Sequence, residues 1–134
     1  MLNFWAAWCE QCTRELPLLV RLQRQFEARG VQFLGACTDE AKDREKAENF
    51  LRKNAVTYPS WFELSDKEMK VLGLGPSFPA TVIFDREGKR IFRLIGDVKE
   101  KQLVQRLEWL LGKQERRSPK ELVLPLGMDK SEYR

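Results

Sequence analysis

Two cysteines separated by two residues, in the run Trp8-Cys9-Glu10-Gln11-Cys12, stand where a short apolar stretch gives way to a helical stripe. Pro17 follows five positions beyond the second sulfur. Thiols at this spacing are close enough to bond to each other. A strand that feeds straight into a helix across such a pair points to redox-active thiols before a structural staple. An inert dithiol is the bland alternative.

The rest of the composition narrows the chemistry. A four-ligand zinc site needs four Cys or His side chains, and the chain has three Cys and no His. The c-type haem signature needs a His directly after the second Cys, where Thr13 stands. Copper delivery loses its usual His ligand as well. Neither a metal nor a cofactor is expected, and thiol–disulfide exchange is left for Cys9 and Cys12. Cys37 lies in an apolar run, where a free Cys reads as a small core residue; a third redox thiol is the alternative.

With 134 residues the chain has room for one domain with a real core. The net charge is +4, but the charges are interleaved, as in Lys42-Asp43-Arg44-Glu45-Lys46. Such mixing reads as a solvated helix face and not as a nucleic-acid footprint. No apolar run approaches the ~20 residues of a membrane helix, and no basic stretch precedes the first strand as a secretory signal would require.

Periodicity orders the elements. Met1 to Trp5 reads as a buried strand. Helical spacing runs from Cys9 to about Ala28, with Leu16, Leu19, Leu22 and Phe26 on one face and a kink expected near Arg14 to Pro17. Gly30 is the stop. Val31 to Cys37 is a second strand, Lys42 to Lys53 a charged helix, and Val56 to Phe62 extended. Ser65 or Asp66 caps a short helix through Leu72. Ala80 to Phe84 and Lys89 to Ile95 form a hairpin around Asp85-Arg86-Glu87-Gly88, and Lys99 to Leu111 is the last helix. The expected organisation is a domain over residues 1–112 and a tail over 113–134, flexible or loosely docked, with Leu122 to Leu126 as the stretch that would dock. A βαβ half followed by a hairpin gives an α/β architecture, a mixed central sheet with helices on both faces.

On that layout the chain resembles the thioredoxin superfamily, and more narrowly the TlpA/ResA-like thiol–disulfide oxidoreductases. The stretch that carries the resemblance is Asn3-Phe4-Trp5-Ala6-Ala7-Trp8-Cys9-Glu10-Gln11-Cys12-Thr13-Arg14-Glu15-Leu16-Pro17, supported by Ser77-Phe78-Pro79-Ala80-Thr81 and the hairpin. It covers roughly Leu2 to Leu111. It implies a thioredoxin-like fold, Cys9 as attacking thiol, Cys12 as resolving thiol and Pro79 as a cis-proline facing the disulfide. An ordinary trans turn proline is the alternative for Pro79. Phe78 would offer backbone hydrogen bonds to a substrate chain, and Trp8 would form part of the substrate surface; plain packing is the alternative for both. Glu40 falls where a buried carboxylate is expected. Its alignment can slip to Asp39, and a solvated loop acid is the alternative.

The resemblance further implies a protein disulfide as substrate, a membrane thiol carrier as electron donor, a monomer, and work outside the cytoplasm, with cytochrome c maturation as one setting. A cytosolic thioredoxin-like reductant and a non-catalytic binding module are the competing readings. There is no peroxiredoxin-type Pro-x-x-x-Thr-x-x-Cys pattern. Four departures stand out. Asn3 replaces the buried Asp of ordinary thioredoxins, Glu10-Gln11 lacks the usual Pro inside the CxxC, and an aromatic precedes Pro79. The chain also opens within its first strand, so the domain reads as N-terminally truncated. Glu10, an anion beside the nucleophile, disfavours thiolate and points to a reductant.

Overall fold

β1 (Leu2–Trp5) is buried along its whole length because it lies in the middle of the sheet. The computed structural model describes residues 1–112, 114 and 116–123. On one side β1 pairs in parallel with β2 (Leu34–Cys37), Leu2 opposite Leu34 and Trp5 opposite Cys37. On the other it pairs antiparallel with β4 (Ala80–Phe84), which forms a hairpin with β5 (Arg90–Ile95). The two-residue β3 (Ser60–Trp61) adds to β2, so the order is β3-β2-β1-β4-β5.

Alternation along the strands separates two packed faces. Leu2, Phe4, Ala80 and Val82 meet Met69 of α3 (Asp66–Val71) on one side. On the other, Ile83, Phe92 and Leu94 meet Leu19, Leu22 and Phe26 of α1 (Glu10–Glu27) and Leu103 and Leu107 of α4 (Glu100–Gly112). Each of these side chains larger than Ala contributes ~1.5–3 kcal/mol on full burial. A third cluster forms at the C-terminal ends of β1 and β2. There Trp5 and Cys37 lie with Cys9, Cys12 and Ala47 of α2 (Arg44–Lys53), and Phe50 stacks on Trp5 at 5.0 Å. The mixed sheet with helices on both faces is the α/β architecture expected from the residues and the thioredoxin-like fold that the resemblance implies.

Local chemistry explains the element ends. α1 runs continuously through Pro17 and stops where Val31 N–H donates to Phe26 O at 3.1 Å, with Gly30 at φ +94°. β2 begins at Leu34, opposite Leu2 at the start of β1, and not at Val31. Ser65 caps α3 in a capping box with Glu68. Asp85 Oδ1 accepts from Glu87 and Lys89 N–H, both at 2.9 Å, and closes the hairpin turn.

The C-terminal stretch is tied down at several points. Arg106, buried on α4, donates to Lys120 O at 3.1 and 2.6 Å, and Arg93 pairs with Glu121 at 2.6 Å. Leu122 is buried, and its N–H donates to Arg93 O while its carbonyl accepts from Ile95 N–H. Of the stretch Leu122 to Leu126, for which the sequence leaves a flexible tail or a loose docking open, Leu122 lies along the outer edge of β5; residues 124–134 lie outside the described residues. Among the described residues no helix is long and apolar enough to cross a membrane.

Candidate active site

The turn leaving β1 delivers Cys9 to the start of α1. Cys9 N–H donates to Ala6 O at 3.0 Å, and Cys9 takes an extended conformation (φ −86°, ψ 104°) as the helix N-cap. Its Sγ accepts from Cys12 N–H at 3.1 Å. A sulfur here occupies the place where an N-cap oxygen would satisfy an orphan helix amide. Negative charge on that sulfur is favoured by the same amides and the helix dipole. Cys9 and Cys12 are joined in a disulfide with Cα atoms 5.3 Å apart, inside the range a disulfide spans without backbone movement.

Beside the disulfide lies an aromatic lip. Trp8 is 69% exposed and meets the edge of Phe78 at 5.3 Å. The Phe78–Pro79 peptide is cis, and Pro79 O accepts from Gly96 N–H at 2.8 Å, which anchors the loop to the end of β5. Phe78 also packs against the cluster that holds Cys9 and Cys12. Cys9, Cys12, Trp8 and Phe78 therefore come together, with Pro79 joined to Phe78 through the cis peptide.

Glu40 does not join them. Its side chain is 77% exposed, it precedes the short 3-10 turn Ala41–Asp43, and it faces Lys42 at 3.5 Å. The neighbouring Asp39 is the buried acid: its Oδ2 accepts from Ala7 N–H at 2.8 Å and lies 3.4 Å from Cys37 Sγ. Cys37 is fully buried, and burial first, with Asp39's charge adding, pushes its thiol up to about 12. It is a core thiol.

A second buried acid was not singled out by sequence reasoning. Glu15 lies one turn beyond Cys12, three residues on and therefore on the same helix face. Asn3 Nδ2 donates to Glu15 Oε1 at 3.0 Å and to Thr81 Oγ1 at 3.1 Å, and Val98 N–H donates to Glu15 Oε2 at 3.0 Å. Burial pushes the Glu15 carboxyl up to about 7, and the nearby Asp97 charge pushes the same way. The Val98 and Asn3 donors act in the opposite sense and are outweighed. Asn3, standing where thioredoxins carry an Asp, thus holds a carboxylate supplied by the helix. The signal in the sequence was a carboxylate inside the buried stripe Cys12, Leu16, Leu19.

The chain is similar to thiol-disulfide oxidoreductase ResA of Bacillus thuringiensis (strain Al Hakam), 29% identical over 102 residues, 76% of this chain and 57% of the relative. ResA of Geobacillus thermodenitrificans (strain NG80-2) is 31% identical over 107 residues, 80% of this chain and 60% of the relative. The chain thus spans 57% and 60% of the length of these curated relatives. Among solved structures, a thiol-disulfide oxidoreductase from Bacteroides fragilis NCTC 9343 matches with a TM-score of 0.70 at 26% identity, over 81% of this chain and 78% of that one. Residues 1–91, from β1 into β5, match the model of the AhpC/TSA family; the chain belongs to that family, within the thioredoxin superfamily and similar to its ResA-like members.

Proposed function

We propose that this chain is a thiol–disulfide oxidoreductase that reduces protein disulfides through Cys9 and Cys12. The observation that carries the reading is the Cys9–Cys12 pair across the first turn of α1, with Cys9 Sγ on a helix amide and a cis-proline loop beside it. A free Cys is only a few per cent ionised at pH 7. The helix start raises that fraction for Cys9, and the thiolate is the nucleophile.

The reduced dithiol attacks one sulfur of the substrate disulfide. A Cys9–substrate bond forms, the substrate S–S bond breaks, and the first substrate thiol leaves with a proton from solvent. Cys12 then gives its proton to a base and attacks Cys9 Sγ, which releases the second substrate thiol and forms the Cys9–Cys12 disulfide. Two electrons and two protons pass to the substrate in all. Glu15, buried on the Cys12 face and poised near neutrality, suits the base role; Glu40, out in solvent, does not. Trp8, Phe78 and Pro79 form the face against which the substrate chain lies.

The anion at Glu10 beside the nucleophile favours the reducing direction. Equilibration with a glutathione buffer tests this, and a potential more positive than about −180 mV stands against it. By the ResA-like resemblance the protein works outside the cytoplasm, draws electrons from a membrane thiol carrier, and has apocytochrome c thiols or copper-site cysteines as targets. The central test is Cys12→Ser, offered insulin as a protein disulfide. A covalent complex through Cys9, released by dithiothreitol, is the expected result. A folded Cys12→Ser protein that traps nothing, beside a wild type that does not reduce insulin, would leave a binding module.

A further inference from the structure

The turn between β1 and α1 is gripped through one peptide plane. The peptide joining Ala6 and Ala7 gives its N–H to Asp39 Oδ2 at 2.8 Å, and its carbonyl, Ala6 O, accepts from Cys9 N–H at 3.0 Å. Cys9 in turn presents Sγ to Cys12 N–H at 3.1 Å. A continuous run of hydrogen bonds therefore leads from Asp39, just beyond β2, to the nucleophilic sulfur. Asp39 is buried, where an unpartnered carboxylate would be costly. The acceptor oxygen at 2.8 Å fixes the orientation of the peptide plane, and with it the direction in which the carbonyl at its other end points.

We propose that Asp39 is the positioning residue of the nucleophile: by holding the Ala6–Ala7 peptide plane it sets Cys9 Sγ on the first amides of α1. This deepens the oxidoreductase reading and rests on it. Without the grip, the plane is free to rotate, Cys9 N–H loses its acceptor, and the sulfur drifts from the helix start that stabilises its thiolate. The Cys37 thiol on β2 lies beside Asp39, 3.4 Å from Oδ2, and the Arg44 charge on α2 reaches Cys37. The turn's other tie, Thr38 N–H to Trp5 O at 3.1 Å, does not touch the peptide in question.

The experiment is the pH profile of Cys9 alkylation in the reduced full chain, compared for wild type, Asp39→Ala and Asp39→Asn. Asp39→Ala should raise the midpoint by about one unit, roughly tenfold less thiolate at any pH below it. Asp39→Asn keeps an oxygen for the Ala7 amide and should hold the wild-type midpoint. An unmoved midpoint in Asp39→Ala overturns the proposal. So does an equal shift in both variants, which would make charge and not grip the cause. Hydrogen exchange of the Ala7 amide in the wild type needs no variant to fold. Protection supports the grip, and exchange at an open-loop rate overturns it. Insulin reduction by the wild type separates the two levels. Turnover with an unmoved Asp39→Ala midpoint removes only the role of Asp39, whereas absence of turnover removes the oxidoreductase reading.

Discussion

The two halves of α1 bury opposite kinds of side chain. From Leu19 to Phe26 the inward face is Leu19, Leu22 and Phe26, with Gln23 its polar member, and it packs on Ile83, Phe92 and Leu94. From the N-cap to Glu15 the inward face is Cys9, Cys12 and Glu15, and it meets Asn3, Cys37 and the cis-proline loop. One half gives up polar groups for contact area. The other keeps a titratable acid dry with two donors upon it. A single helix thus anchors the fold at one end and carries sulfur chemistry at the other, and the boundary falls within two turns.

That contrast is open to being broken, first in the apolar half. Leu22→Ala should cost ~2–5 kcal/mol of stability, read from urea unfolding, because the site sits at the centre of a packed cluster. The alkylation rate of Cys9 in the folded fraction should not move. A parallel loss of thiol reactivity would mean that the two halves are not separable.

The polar half makes a prediction of opposite sign in pH. Glu15 titrates higher in the fold, about 7, than its ordinary 4.5, so the folded state binds its proton more tightly than the unfolded one. The stability this gives is fully present below about 4.5 and is lost as pH rises through about 7. The span corresponds to ~3 kcal/mol. Glu15→Gln should flatten this dependence in unfolding measured from pH 4 to 8. Gln can keep the Val98 bond through its oxygen while Asn3 turns its own carbonyl toward the new amide. A slope that survives the substitution would assign the effect to another group.

The same variant sharpens the kinetic side. If Glu15 takes the Cys12 proton, Glu15→Gln should slow release from the mixed disulfide by ~10²-fold and leave its formation by Cys9 unchanged. Stopped-flow traces of the two phases distinguish them. The smallest effect belongs to the lip. Trp8→Ala removes an edge-to-face pair worth ~0.5–1.5 kcal/mol, and should raise KM for a protein disulfide by up to about tenfold. The potential should stay where it was, and a shifted potential would show that Trp8 tunes the sulfur instead of the substrate.

Much of this was legible along the chain because it rests on neighbours in sequence. The CxxC spacing, the Leu16 to Phe26 stripe, the Asp85 to Gly88 turn and the Ser65 cap depend on residues within one or two turns of each other. Glu40 and Glu15 show where such reading stops. Each is an acid three residues after a cysteine, Glu15 after Cys12 and Glu40 after Cys37, but Glu40 lies beyond β2 in solvent and faces Lys42, while Glu15 is drawn under the sheet. Only the position of Asn3 on β1 and Val98 beyond β5 gives Glu15 its donors, 12 and 83 residues away. Leu122 docks for a similar reason: Arg93 and Arg106, on β5 and α4, hold a stretch that has no periodicity of its own.

The amino-acid order by itself determined that a strand would end in two thiols one helical turn apart, because φ/ψ preference, periodicity and capping act over a few residues. Which acid lies dry, which loop faces the sulfur and how one peptide plane is held were decided only on folding. Those depend on desolvation and on hydrogen bonds between segments that the sheet alone brings together.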